Sequence, residues 1–94
     1  MIQSFRCVDT EALFTTGKSK RFANIRAIAE RKLQQLDSAA TLEFLRSPPG
    51  NHLEALVGDR AGQHSMRINL QWRVCFVWTD QGPEQVEIDR KSVV

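Results

Sequence analysis

A chain of 94 residues, 41% hydrophobic and 26% charged, is sized for one globular domain and carries no signature of a disordered, fibrous or disulfide-framed protein. Cys7 and Cys75 stand far apart with no second pair and no neighbouring histidine, which leaves a structural zinc site or a CxxC redox motif unsupported. The formal net charge of +2 admits a nucleic-acid partner only if positive charge gathers on one face. The first residues lack the apolar stretch of a signal peptide, and no run nears the roughly 20 apolar residues of a membrane span, so a cytoplasmic protein is expected.

Ile2 to Val8 is short and β-prone and is predicted as a strand. Asp9 or Thr10 can then cap a short helix, because either side-chain oxygen accepts from a free first-turn N–H, and Gly17 marks its end. Lys18 to Arg21 forms a basic connector, read first as a solvated link and second as a phosphate contact. Phe22, Ile25, Ile28, Ala29, Leu33 and Leu36 recur at steps of three and four, which predicts an amphipathic helix over roughly Asn24 to Leu36. Thr41 to Leu45 adds a further helical turn. The run Ser47-Pro-Pro-Gly-Asn51 then ends helical structure, since each proline lacks an N–H and restricts the residue before it.

Beyond that run the pattern is β. Leu53, Ala55 and Val57 alternate, and the turn-forming Gly58 to Gly62 leads to a strand over His64 to Asn69. Met66 and Ile68 point one way, and Ser65, Arg67 and Asn69 the other. After a turn at Leu70-Gln71, Trp72, Val74, Phe76 and Trp78 share one face, with Arg73, Cys75 and Val77 opposite. A last strand, Gln85 to Ile88, follows the turn Asp80 to Pro83. The order, a strand, two helices and a four-strand meander, predicts an α+β fold with its helices on one face of a small antiparallel sheet.

Nucleotide-binding loops, HExxH and Ser-centred elbows are all missing from the sequence. His52 and His64 are isolated and read as surface or turn residues, with no metal site implied. The arginines are more informative. Arg67 and Arg73 should project on the helix-free side, with Arg60 at the adjoining turn and Arg90 and Lys91 at the end of the last strand, as a concave basic patch. Two readings fit. The arginines are either solvated or paired with Glu54 and Glu87, or they form a phosphate-binding, RNA-cleaving surface, because planar guanidinium groups grip phosphate bidentately and stabilise a phosphorane.

The segment Asn51-x-Leu-Glu-x-Leu-x-Gly-Asp-Arg-x-Gly-x-x-Ser-x-Arg-Ile-Asn-x-Gln-Trp-Arg-Val-Cys-Phe-x-Trp78, followed by Val86-Glu-Ile88, closely resembles HigB-type toxins of the RelE superfamily. Met1-Ile-x-Ser-Phe5, Arg21-Phe22 and Arg46-x-Pro-Pro-Gly-Asn51 extend the resemblance over nearly the whole chain. It implies a RelE-like fold and a ribosome-dependent mRNA interferase that needs no metal or cofactor. A helix-turn-helix antitoxin would neutralise it, and the ribosome and mRNA would be its targets. Arg73 matches the arginine expected to stabilise the phosphorane. The resemblance further implies places on or near that surface for Arg67, as a catalytic group, and Arg60, as a substrate contact, with Glu54 or His52 as the general base; beside it, Lys91 and Arg90 are read as cations near the leaving 5′-oxygen, catalytic and substrate-binding respectively, and His52 and His64 as substrate contacts. Two positions depart from the pattern. Val57 stands where many relatives have lysine, and Asp89-Arg-Lys-Ser92 replaces the usual Asp-Tyr-His in a chain without tyrosine, so an attenuated toxin that mainly binds antitoxin or ribosome is the alternative.

Overall fold

The apolar stripe forms its helix. In a computed structural model that describes residues 1–47 and 49–90, Arg26–Ser38 is the longest helix, here α2, and buries Ala29, Leu33 and Leu36. A single 3-10 turn, Ala23–Ile25, precedes it, so the helix proper begins two residues later than the spacing predicts and ends two residues later as well. The shorter Val8–Thr16 is α1, and Leu42–Arg46 is α3. Thr41 caps α3, its hydroxyl accepting from the Phe44 N–H at 3.3 Å.

Gly17 ends α1 in the left-handed region, at φ 72°, where glycine carries no Cβ penalty. The expected cap is different. Cys7 occupies the N-cap without a side-chain capping bond, and Thr10 turns inward, where its buried hydroxyl accepts from the Ile88 N–H at 2.9 Å. Asp9 instead faces Arg21 at 3.4 Å. The helix can start at Val8 because Thr10 is needed as a buried tie to the sheet rather than as a cap.

The sheet contains β1 (Glu54–Ala55), β2 (His64–Arg67), β3 (Trp72–Thr79) and β4 (Gly82–Arg90), in the order β1-β2-β3-β4 with every pair antiparallel, the meander expected. β1 is only two residues long because the chain turns back through a 3-10 turn at Gly58–Arg60. β2 stops at Arg67. Asn69 serves the turn instead, its Oδ1 accepting from the N–H groups of Gln71 and Trp72, both at 2.8 Å. β4 is longer than predicted because the hairpin turn closes between Thr79 and Gly82, which leaves Pro83 inside the strand.

The N-terminal strand is the largest difference. Residues before α1 make one isolated parallel bridge, Phe5 to Val86, on the outer edge of β4. Gln3 donates to the Pro83 carbonyl, Val86 to the Ser4 carbonyl and Arg6 to the Val86 carbonyl. A register shift between Cys75 and Val77 places two β4 residues, Gln85 and Val86, opposite Phe76, with Gln85 at φ 53°. That bulge frees the Gln85 N–H to donate to Ser4 Oγ at 2.9 Å, so pairing is local and does not propagate into a regular strand.

The core lies between the helices and one sheet face. Leu13, Phe22, Leu33, Leu36, Leu45, Met66, Val74, Phe76 and Val86 have no solvent exposure. Each such aliphatic or aromatic side chain contributes about 1.5–3 kcal/mol of burial free energy, which fixes the sheet's orientation and therefore which residues face away from the helices.

Candidate active site

Strand alternation delivers the polar set to the opposite face. The register aligns Glu54, Ser65, Cys75 and Glu87 in one row across four strands, and Arg67, Arg73 and Asp89 in the next. Arg60 reaches this face from the Gly58–Arg60 turn. His52, just before β1, completes it. His52, Glu54, Ser65, Arg67 and Arg73 together line a shallow, solvent-open pocket.

The arginines of this face are not equivalent. Arg60 donates to Asp89 Oδ2 at 2.6 Å and makes a second, short bond to Glu87. Asp89 Oδ2 also accepts from Arg73 Nη2 at 3.2 Å, so one carboxylate holds two guanidinium groups. Burial pushes the Asp89 carboxyl up, but the hydrogen bonds and charges of Arg60 and Arg73 outweigh it and hold the group below its usual range. Burial likewise works against the Arg60 charge, yet Asp89 and Glu87 raise its pKa. Burial raises the Cys75 thiol against the pull of Arg73 and Arg60, so the buried sulfur stays protonated at neutral pH.

Arg73 is largely covered, with 19% of its side chain exposed, and its Nε is buried with no partner among the described residues. Arg67 has no carboxylate partner among the described residues; its Nη1 lies 3.5 Å from His52 Nε2. Arginine offers only donors, so this contact is a hydrogen bond when the Nε2 lone pair faces it and the ring proton sits on Nδ1. The pocket therefore offers a carboxylate, an imidazole and two guanidinium groups along one lining, a set suited to holding a phosphate beside a proton acceptor.

Several sequence-predicted site residues lie elsewhere. His64 pairs with Phe76 on the helix side, its ring stacked at 6.1 Å, where burial and then Arg46 lower its pKa. Arg90 pairs with Trp72, also on the helix side, and lies over its ring at 5.9 Å. Period-two alternation explains both, because each is one residue out of phase with the arginine face. Lys91 and Pro48 lie outside the described residues. The concave basic patch is thus corrected to a mixed face on which Glu87 and Asp89 meet Arg60 and Arg73. Of the expected ion pairs, Glu87 is engaged, whereas Glu54 makes none among the described residues. Val57, where the resemblance leads to the expectation of lysine, is 85% exposed.

Sequence reasoning misses Asp89, Ser65 and Asn51. Asp89 becomes readable from alternation once the last strand is carried past Ile88, since residues 87 and 89 share a face. Ser65 follows from its place on the Arg67 side of β2. Asn51, fully buried, carries no composition signal of its own. Among the described residues no three His, Cys, Asp or Glu side chains group closely enough to hold a metal ion, and no helix is long and apolar enough to cross a membrane.

A helix-covered antiparallel meander with guanidinium groups lining a pocket on its bare face defines an α+β protein with a polar, arginine-bearing site. A model of the RelE-like toxin of the type II toxin–antitoxin system HigB matches residues 3–90. The chain therefore belongs to the HigB-like toxin family. It is 48% identical over 50 residues to Toxin HigB-1 of Vibrio cholerae serotype O1, a match covering 53% of each chain and so about half the length of that relative. It is also 31% identical over 74 residues to an uncharacterized protein of Haemophilus influenzae, covering 79% of this chain and 73% of the other.

Proposed function

We propose that this protein is a ribosome-dependent endoribonuclease that cuts mRNA during translation and so acts in the cytoplasm. The observation that carries this reading is the convergence of Arg67, Arg73, His52 and Glu54 on one pocket of the sheet face that the helices leave bare. In the reaction the substrate 2′-oxygen bonds to the adjacent phosphorus while the bond from phosphorus to the 5′-oxygen breaks. The 2′-OH proton passes to His52 or Glu54, and the 5′-oxygen leaves with a proton from solvent or a nearby acid. Arg73 and Arg67 stabilise the charge on the phosphorane, which is where fixed donors contribute most. A proton acceptor and two guanidinium groups thus serve the attack of the 2′-oxygen and the charge on the phosphorane, and we propose that the reaction runs without a metal. A helix-turn-helix antitoxin is the expected neutralising partner.

The test is induction of wild type and of Arg73→Ala in cells, with mapping of mRNA ends. New ends within translated messages should appear for wild type and vanish for Arg73→Ala. Intact messages with wild type would overturn the enzyme reading. One observation favours a second reading, an attenuated toxin acting mainly by binding: Arg60 is already held by Glu87 and Asp89, and the lysine of relatives is here the exposed Val57. Retained antitoxin or ribosome binding without cleavage distinguishes it.

A further inference from the structure

Within the pocket, His52 is the residue with the least ordinary backbone. Its φ is 44°, in the left-handed region that only glycine adopts freely, and its neighbours explain how that conformation is kept. Asn51 has no solvent exposure, and Leu53 packs against the hydrophobic core. The chain is therefore anchored inward on both sides of an exposed histidine, which leaves the imidazole no route but outward to the pocket.

Asn51 is the firmer of the two anchors. Its Nδ2 donates to Gln35 Oε1 and to the Leu45 carbonyl, both at 3.1 Å, and its Oδ1 accepts from Lys32 Nζ. Both amide hydrogens are used, and the ammonium group fixes which end is oxygen, since a flipped amide would set NH₂ against NH₃⁺. One side chain thus ties the segment before β1 to α2 through Lys32 and Gln35 and to α3 through Leu45. Burial, then the charge of Arg31, lowers the Lys32 pKa from its ordinary value, so the contact to Asn51 is made against both. Nothing in the proposed chemistry uses Asn51 or Lys32 directly.

We propose that Asn51, held by Lys32, is a positioning residue that sets the His52 imidazole against Arg67 in the pocket. The inference rests on the RNA-cleavage reading for its consequence, and on the buried amide and the left-handed backbone for its geometry. A displacement of about 1 Å at a group that acts on the reacting atoms lowers rate by up to about 100-fold, while substrate grip by the arginines is unaffected.

The experiment uses Asn51→Ala and Lys32→Met, each alone and combined with His52→Ala, on the full chain with programmed ribosomes. NMR of the histidine ring signals is recorded in parallel. Lys32→Met keeps the alkyl stem and carries both measurements if Asn51→Ala fails to fold. Each single variant should lower kcat by about 10-fold or more with KM nearly unchanged, and neither should cost anything further once His52 is alanine. The His52 ring signals should shift while those of His64, across the sheet, stay in place. Losses that persist in the His52→Ala background, or ring signals in which His52 does not move or moves together with His64, overturn the proposal. A wild type that cuts no mRNA, with His52 signals that still respond to Lys32→Met, refutes the enzyme reading and supports the positioning role.

Discussion

Asp89→Asn keeps the shape of the side chain and removes its charge from between two arginines. Two charge-assisted bonds are weakened, from Arg60 at 2.6 Å and from Arg73 at 3.2 Å. Such bonds contribute about 1.5–3 kcal/mol each when well shielded. Here the asparagine oxygen still accepts, and 34% of the Asp89 side chain is exposed, so screening reduces the loss to about 1–2 kcal/mol. For a chain of this size that corresponds to a melting temperature lower by about 5–15 °C at neutral pH. The pH dependence has a definite sign. Burial alone would raise the Asp89 pKa, but the arginines hold its folded-state value below the ordinary 3.8, so its stabilisation is fully present above 3.8 and is lost as the pH falls through the depressed value. Melting curves of wild type and Asp89→Asn should therefore lie apart near neutral pH and converge in strong acid. Curves that coincide at neutral pH, or a gap that does not close in acid, refute the account of Asp89 as the shared anchor of the arginine face.

Arg73→Lys retains a positive charge but not the planar fork, and should lower cleavage by about 100- to 1,000-fold, measured as the rate at which mapped mRNA ends appear. His64→Phe should leave cleavage unchanged, because His64 lies against Phe76 on the helix side. The same variant should also flatten one part of the stability profile. With the folded-state pKa of His64 below 6.5, its contribution is present above 6.5 and lost as pH falls below it, so wild type should weaken there more than His64→Phe in pH-dependent melts. Gly82→Ala should destabilise by about 1–3 kcal/mol in denaturant titrations, since Gly82 has φ 128° and an added Cβ would run into the Met1 carbonyl.

The helix over the Phe22 to Leu36 stripe and the meander are legible in the sequence because each repeats a simple period that only one secondary structure satisfies. The assignment of Arg67 and Arg73 to the bare face follows from the same rule and agrees with the observed register. The true pairing of Ile2–Val8 is not legible, because a parallel bridge to a bulged edge depends on β4, at the far end of the chain. Thr10 shows a related limit. Its side chain is an ordinary capping group in sequence, and only the approach of Ile88 makes a buried acceptor the better use of it. The basic patch is overdrawn in the sequence because nothing after Ile88 marks the strand as continuing. Continued pairing to Arg90 brings Asp89 beneath Arg73 and sends Arg90 to Trp72.

The contact between Ser4 and Gln85 joins residues 81 apart in the chain, so it forms only after all the helices and strands between them have been synthesised. The same late strand carries Glu87 and Asp89, the carboxylates that hold Arg60 and Arg73. A growing chain that has emerged only as far as β3 already presents the arginines, yet lacks the groups that fix them and the edge that receives its own first residues. The pocket in its finished form thus depends on β4 having joined the sheet, and a folding intermediate that has assembled only as far as β3 does not possess it.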